Sequence, residues 1–469
     1  MATDEEERNN ETKCSHDIKR IIPKTDVMKK TIASLIGSSL IIFVSAQKKD
    51  DWSYLSETER IVKTLASDDW AGRKPFTDGI DKAAVFIADE FKKAGLQPWD
   101  GKSFLQPFTL NIIHFVSAKA FINGESIDEK NIYAHSTVGF LKANQKSLDF
   151  DTAYITKTDT FFIKMGRLRK EQKKNLVVFV DTAHQRLFNS SRIFYQQYFS
   201  GFKEYNSFYY SDKHAIVILT GKKPENWSVE YQQRIEKKSL QNVVGVLPGR
   251  KLKEQQIVFS AHYDHVGIGK PNNENDSIYN GANDDAAGVA AVIQLANHFA
   301  RQKNNERSLV FAAFTCEEIG YFGSMYFTRH YDSSRIVADF NIEMIGSISE
   351  NGVGAAGITG YEHSDFGKIL QKNLEGSLYQ FYPDTLKRMN LFYMSDNITL
   401  ARKGIPAHTI STSRGSGEPY FHTPDDEWDK LDYKNMNEVI RAIAISAGGI
   451  ISGKDTPTRI DVNMFRIRN

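Results

Sequence analysis

The sequence predicts a layered α/β fold: a three-layer α/β/α sandwich with a mixed, largely parallel central sheet and a β-rich insertion. Three observations predict it. After residue 242, short apolar runs rich in β-branched residues alternate with segments of helical period, the order of a chain that lays helices over parallel strands. The acids and histidines of this region cluster just beyond the ends of those runs, where open α/β sheets bind ligands. Between residues 109 and 240 the alternation gives way to β-like runs and aromatic residues.

Residues 56–67 read as a helix with Ser56 as N-cap and Glu57 and Glu59 in its first turn. A second helix is expected over 79–93, where Ile80, Ala83, Ala84, Ile87, Ala88 and Phe91 recur on one face and Gly95 follows as a stop. Together these form a helical entry, 47–108. In the insertion, 109–240, the runs at 175–180 and 214–220 read as strands, and ten of the 23 residues from 188 to 210 are aromatic. Such a run either packs a core or forms a contact surface over a site. In the C-terminal part, 241–469, strands are expected over 256–262, 308–315, 336–343 and 405–411. Helices are expected over 286–300, 364–374 and 436–451.

A chain of 469 residues with 41% apolar and 25% charged residues is globular in composition. Sixty basic residues against 58 acidic ones leave a net charge of +2, which gives no electrostatic footprint for nucleic acid. Cys14 and Cys316 are the two cysteines and form no CxxC pair, so a metal site must draw on His and carboxylates. Residues 28–46 read as a signal peptide: Lys29 and Lys30 precede an apolar stretch, Thr31 to Ala46, too short to span a bilayer comfortably, with a cut before Gln47. The polar leader, 1–27, reads as a misassigned start upstream of Met28. Cleavage implies an exported protein, periplasmic or secreted, that loses Cys14; an uncleaved segment implies a membrane anchor.

His262, Asp264 and His265 follow the first of the C-terminal strands. Asp284 and Asp285 precede the next helix, and Glu317 and Glu318 close the second strand. Glu343 closes the third, and His422 and Asp425 follow the last. Each alone is unremarkable: an Asp before a helix is commonly an N-cap. Their convergence on one sheet edge points to a metal site of His nitrogen and carboxylate oxygen, in which two ions can share a bridging carboxylate. His262 and Asp264 are two apart, so in an extended chain Asp264 can orient the imidazole. Glu317 and Glu318 face differently, so one can bind metal while the other takes a proton. His265 and His408 read as loop or core histidines.

The motifs SAHYDH, GANDDAAG, CEEIGYFGS, NIEMIG and HTPDD, in that order, resemble the M28 family of zinc peptidases. The match covers about residues 57–108 and 242–452 and leaves the insertion out. The resemblance implies a zinc exopeptidase holding two zinc ions, with a peptide or protein as substrate. His262 and Glu343 would hold one ion, Glu318 and His422 the other, and Asp284 would bridge them. Glu317 would be the general base, with Asp264 behind His262 and Asp285 holding the turn beside the bridge. It also implies a cis peptide after Asp284. Two departures stand out. Glu343 replaces the usual Asp, moving the carboxylate oxygen by about 1 Å, which bears on whether the second zinc binds. Asn397 stands where relatives often have His. A single-zinc glutaminyl cyclase and a non-catalytic binding protein on the same scaffold are the alternatives. Arg402, Lys403 and Arg414 suit a substrate carboxylate and Asp396 and Glu418 a free amine, so both termini stay open, with aminopeptidase favoured by the family's bacterial members.

Overall fold

The computed structural model describes residues 55–198, 200–201, 213–386, 389–414 and 417–465. The leader, the signal-peptide segment, Cys14 and the aromatic residues between 199 and 210 lie outside the described residues.

Two helices open it, α1 (Leu55–Leu65) and α2 (Asp78–Lys93). α2 buries Ile80, Ala83, Ala84, Ile87 and Phe91, the face its period predicts. α1 buries Ile61, Val62 and Leu65. Ser56 lies inside α1 instead of capping it. The capping serine is Ser67, whose hydroxyl accepts from the Asp69 amide at 3.3 Å and starts the turn Asp68–Arg73. Acidic residues follow both serines, so the capping signal is the same at each.

The segment read as an insertion, with flanking residues on either side, contributes β1 (Leu105–Ile122), β2 (Glu125–Ile127), β3 (Ile132–His135), β4 (Phe140–Asn144), β5 (Phe150–Ile155), α3 (Phe161–Glu171), β6 (Asn175–Val180), α4 (Gln185–Ile193), β7 (Ala215–Leu219) and β8 (Trp227–Leu247). β1 and β8 pair antiparallel along their length, from Leu240 opposite Phe108 to Trp227 opposite Ile122. The chain thus enters and leaves the insertion along one continuous ribbon. The far half of that ribbon packs through Ala120, Ile122, Trp227 and Tyr231 on Phe179, Ile216 and Ile218 of a four-stranded sheet, β3-β7-β6-β5. α3 and α4, which the sequence reading does not anticipate, supply Phe161, Met165 and Phe188 to that sheet's other core. Phe188 and Tyr195 pack on Tyr133, with ring centroids 4.9 and 5.7 Å away, so these two members of the aromatic run serve the insertion's own core.

The C-terminal part runs β9 (Leu252–His262), α5 (Ala287–Gln302), β10 (Arg307–Phe314), α6 (Phe322–His330), β11 (Ile336–Ile342), β12 (Ala355–Ile358), α7 (Phe366–Asn373), β13 (Gln380–Pro383), α8 (Asn397–Ala401), β14 (Ala407–Ser411) and α9 (Tyr433–Ile451). The main sheet has 12 strands among the described residues, with the path β13-β12-β14-β11-β9-β10-β8-β1-β2. β14, β11, β9 and β10 are parallel neighbours; β12 and β8 flank them antiparallel, so the sheet is mixed around a parallel centre. Phe259 stands opposite Phe311 and Phe340 and stacks on them at 5.5 and 4.9 Å. This face lies in one core with residues of α1, α5 and α9. Val258, on the opposite face, joins Phe327, Ile398 and Leu400 of α6 and α8. Helices on both faces explain why these strands read as unbroken apolar runs.

Asp339 on β11 is fully buried; Ser260 Oγ donates to its Oδ1 at 2.9 Å and its Oδ2 has no hydrogen-bond partner. Burial raises this carboxyl to about 8, against about 4 in an unfolded chain. The folded state therefore holds a proton that the unfolded state releases, and stability falls as pH rises from about 4 to about 8. Asp339→Asn should raise Tm by about 2 °C or more at pH 9 and change it far less at pH 5. Equal shifts at both pH values in thermal denaturation would contradict this account.

Candidate metal centre

Arg73 ends the turn after α1 and is fully buried. Its guanidinium donates to four backbone carbonyls, those of Tyr263 (2.8 Å), Leu65 (2.7 Å), Asn280 (2.5 Å) and Gly281 (2.8 Å). The end of α1, the exit of β9 and the loop before α5 are thereby pinned to one side chain. Burial lowers the guanidinium to about 10, opposed by the nearby carboxylates of Asp426, Asp264, Asp284 and Asp285.

On this frame the structure gathers two donor groups that share Asp284. One comprises His262, Asp284 and Glu343; the other comprises His265, Asp284, Glu318 and His422. Within each group the donor atoms lie within 4.8 Å of one another. His262 Nε2 is 3.1 Å from Asp284 Oδ1. His422 Nε2 is 3.2 Å from Asp284 Oδ2 and 3.2 Å from Glu318 Oε1. The two oxygens of Asp284 therefore face different groups, as a bridging carboxylate must. Glu343 Oε2 is buried without a hydrogen-bond partner, and His262 Nε2 and Glu318 Oε1 are buried against the other donors alone. Buried polar atoms are rarely left so, and convergent, unsatisfied N and O donors fit a divalent metal such as zinc. The glutamate at 343 does not keep the side chain out of its group.

The supporting contacts differ in part from the sequence expectation. β9 ends at His262, so the alternation of a strand does not carry on to Asp264. His262 Nδ1 faces the backbone carbonyl of Asp264 at 3.1 Å, while the Asp264 carboxylate is 3.8 Å away. A proton on Nδ1 toward that carbonyl leaves Nε2 as the donor atom. The Asp264 carboxylate instead accepts from the amides of Glu317 (3.1 Å) and Glu318 (3.4 Å), placing the Glu-Glu pair. Asp426, unassigned in the sequence although it closes the HTPDD motif, accepts from the amides of Asn283 (2.8 Å) and Asp284 (3.1 Å). Asp285 Oδ1 accepts from Gly288 (2.9 Å) and Met344 (3.1 Å), tying the bridge loop to the exit of β11. A Cβ on Gly288 would lie 2.2 Å from the Ile342 carbonyl, so this close approach needs glycine. The Asp284–Asp285 peptide is cis.

Other candidates separate cleanly. His265, read as a loop or core histidine, is fully buried with Nδ1 2.8 Å from Glu318 Oε1; its place directly after the HYD triplet was the available signal. His408 is a core histidine, bonded to Ser364 Oγ and to the Thr359 carbonyl. Asn397 is buried between the Phe392 carbonyl, to which it donates at 3.1 Å, and the Thr409 hydroxyl, from which it accepts at 3.0 Å. Asp425 is exposed and accepts from Asn272.

The charges are closely coupled. Burial opposes charge on His422, yet Asp284 and Glu318 raise it to about 10. Burial likewise favours neutral Glu318, yet His265 and His422 hold it at about 2. Burial, with Glu343, Asp396 and Glu318 nearby, raises Glu317 well above the usual carboxylate range. Burial takes Asp396 to about 6. A cavity of about 180 Å³ opens beside the centre, lined by Asn283, Met344, Ser347, Glu418, Tyr420 and Phe421 among others. Glu418 accepts from Asn283 Nδ2 at 3.4 Å, while Arg414 donates to the Ile348 carbonyl at 2.9 Å.

A mixed sheet between helices, with two carboxylate-bridged donor groups beyond its parallel strands, defines a metal-binding α/β protein. The sequence profile of peptidase family M28 matches residues 242–446, the segment that holds every donor named above, and this segment belongs to that family. The chain is 25% identical over 232 residues to a protein named "Probable leucine aminopeptidase" from Arthroderma otae, covering 47% of this chain and 57% of the relative. It is 21% identical over 243 residues to Aminopeptidase YwaD of Bacillus subtilis, covering 48% of each. It is 36% identical over 110 residues to a "Probable zinc metalloprotease" of Pyricularia oryzae, covering 23% of this chain and 21% of the relative. The chain thus spans about half the length of the first two and about a fifth of the third.

Arg73→Lys keeps the charge but replaces a planar fork by a point donor. It should destabilise the protein by about 3 kcal/mol or more in urea denaturation, since buried carbonyls lose their donor, and should weaken zinc binding in equilibrium dialysis. Unchanged stability would show that the clamp does not hold the centre together.

Proposed function

We propose that the protein is a zinc-dependent exopeptidase of the aminopeptidase kind, acting on peptides or proteins. The observation that carries this reading is the pair of donor groups meeting at Asp284, with Glu317 beside them. His262, Asp284 and Glu343 would hold one zinc, and Asp284, Glu318 and His422 the other. Zinc bound there supplies Lewis acidity, polarising a carbonyl and acidifying water. Glu317 takes a proton from the attacking water and returns it to the leaving amine nitrogen; its raised proton affinity suits that exchange. Asp264 holds Glu317 in place through its amide.

Burial, with Asp396 nearby, raises the proton affinity of Asp264, Glu317 and Glu343, and the adjoining cavity is lined by Glu418 and Asp426 together with Arg414 and Lys430. Two acids face two cations in that cavity, so the preference for a free amino terminus is supported by the relatives named aminopeptidases. The presence of Glu343 in a donor group favours two ions, and with them hydrolysis over single-zinc cyclisation. Export follows from the segment 28–46; among the described residues no helix is long and apolar enough to cross a membrane.

Incubation with peptides bearing free or acetylated N-termini, read by mass spectrometry, should show stepwise N-terminal loss from the free peptides alone. Glu317→Gln should lower the rate by about 10³-fold with zinc content unchanged. No cleavage, or only loss of water or ammonia from N-terminal Gln or Glu, would overturn the proposal.

A further inference from the structure

The two donor groups are unequal. His262, Asp284 and Glu343 make three donors, whereas His265, Asp284, Glu318 and His422 make four. We infer that His265 is itself a metal ligand, so that one ion is closed off by four protein side chains and the other keeps an open position. The inference rests on the reading of this site as a zinc centre.

Four of the six donor separations fit a tetrahedron. Zinc bound to N and O at 2.0–2.1 Å places neighbouring ligand atoms about 3.4 Å apart. His265 Nδ1 lies 2.8 Å from Glu318 Oε1 and 3.8 Å from Asp284 Oδ2. His422 Nε2 lies 3.2 Å from each of the same two oxygens. The four separations scatter about the tetrahedral edge. The two imidazoles stand edge to face, with planes 74° apart and centroids 5.4 Å apart.

His265 Nδ1 sits as close to Glu318 Oε1 as two ligands of one small cation, and Nε2 is buried without a hydrogen-bond partner. The ring is also seated by its surroundings. A Cβ on Gly281 would lie 2.5 Å from it, so the glycine leaves the space that the imidazole fills, and the His265 amide donates to the Arg73 carbonyl at 3.4 Å. Four protein donors without a vacancy are the mark of a structural zinc, and three with a vacancy the mark of a catalytic one. The ion between Glu318 and His422 therefore chiefly fixes Asp284 and Glu318, and water and substrate enter at the ion held by His262 and Glu343.

The test is the number of coordinated imidazoles. The full-length chain, labelled with nitrogen-15 in its histidine rings, is stripped of metal, reloaded with cadmium-113 and read by nitrogen–cadmium scalar coupling. Three coupled imidazoles are expected, one through Nδ1. His265→Gln should remove that coupling and weaken one of two cadmium-binding steps by about 10-fold or more. If that variant fails to fold, the count in the unaltered protein decides. Two bound ions with only two coupled imidazoles would overturn the role of His265 while leaving the two-ion centre standing. No bound cadmium would overturn both.

Discussion

The centre depends on Arg73 more than on any donor. A buried guanidinium with four carbonyl acceptors is a rigid bracket, because its N–H groups lie in one plane and cannot follow a moving loop. It joins the first helical layer to the exit of the first parallel strand and to the loop that carries Asp284. It also places a positive charge near Asp264, Asp284, Asp285 and Asp426, where apolar surroundings would otherwise make ionised carboxylates costly.

The site gathers more acid than an apoprotein can comfortably ionise. Asp264 and Glu343 are pushed to about 7 and Asp426 to about 6, in each case chiefly by burial. Divalent cations resolve that conflict, which is why donor atoms without hydrogen bonds, a liability in most cores, fit here. The parallel strands β9, β10 and β11 deliver His262, the Glu-Glu pair and Glu343 to one edge. The loops after them, held by Asp426 and Asp285, supply the rest.

The parallel sheet was legible because both of its faces are covered, so Val258, Phe259, Val310 and Phe311 form apolar runs that periodicity detects. The convergence of His262, Asp284, Glu318, Glu343 and His422 was legible from their places at strand ends and, for Asp284, just before a helix. The role of the Asp264 carboxylate was not, because the strand stops at His262 and the chain then turns. Asp426 was missed because its partners are backbone amides, which leave no mark on the residues they belong to. His265 was passed over because a histidine after a strand is ordinarily a loop residue, and only the folded chain shows Glu318 beside it. The ribbon of β1 and β8 was missed because its register is set by pairing between segments more than a hundred residues apart, which local pattern does not reveal.

The central claim is that Asp284 bridges two metal ions. The most direct measurement is anomalous diffraction at the zinc edge from crystals of the full-length protein grown with zinc. The account predicts two peaks about 3.5–4 Å apart, one on each side of the Asp284 carboxylate, with Glu343 reaching one and His422 the other. A single peak, or two peaks that do not share Asp284, would contradict it.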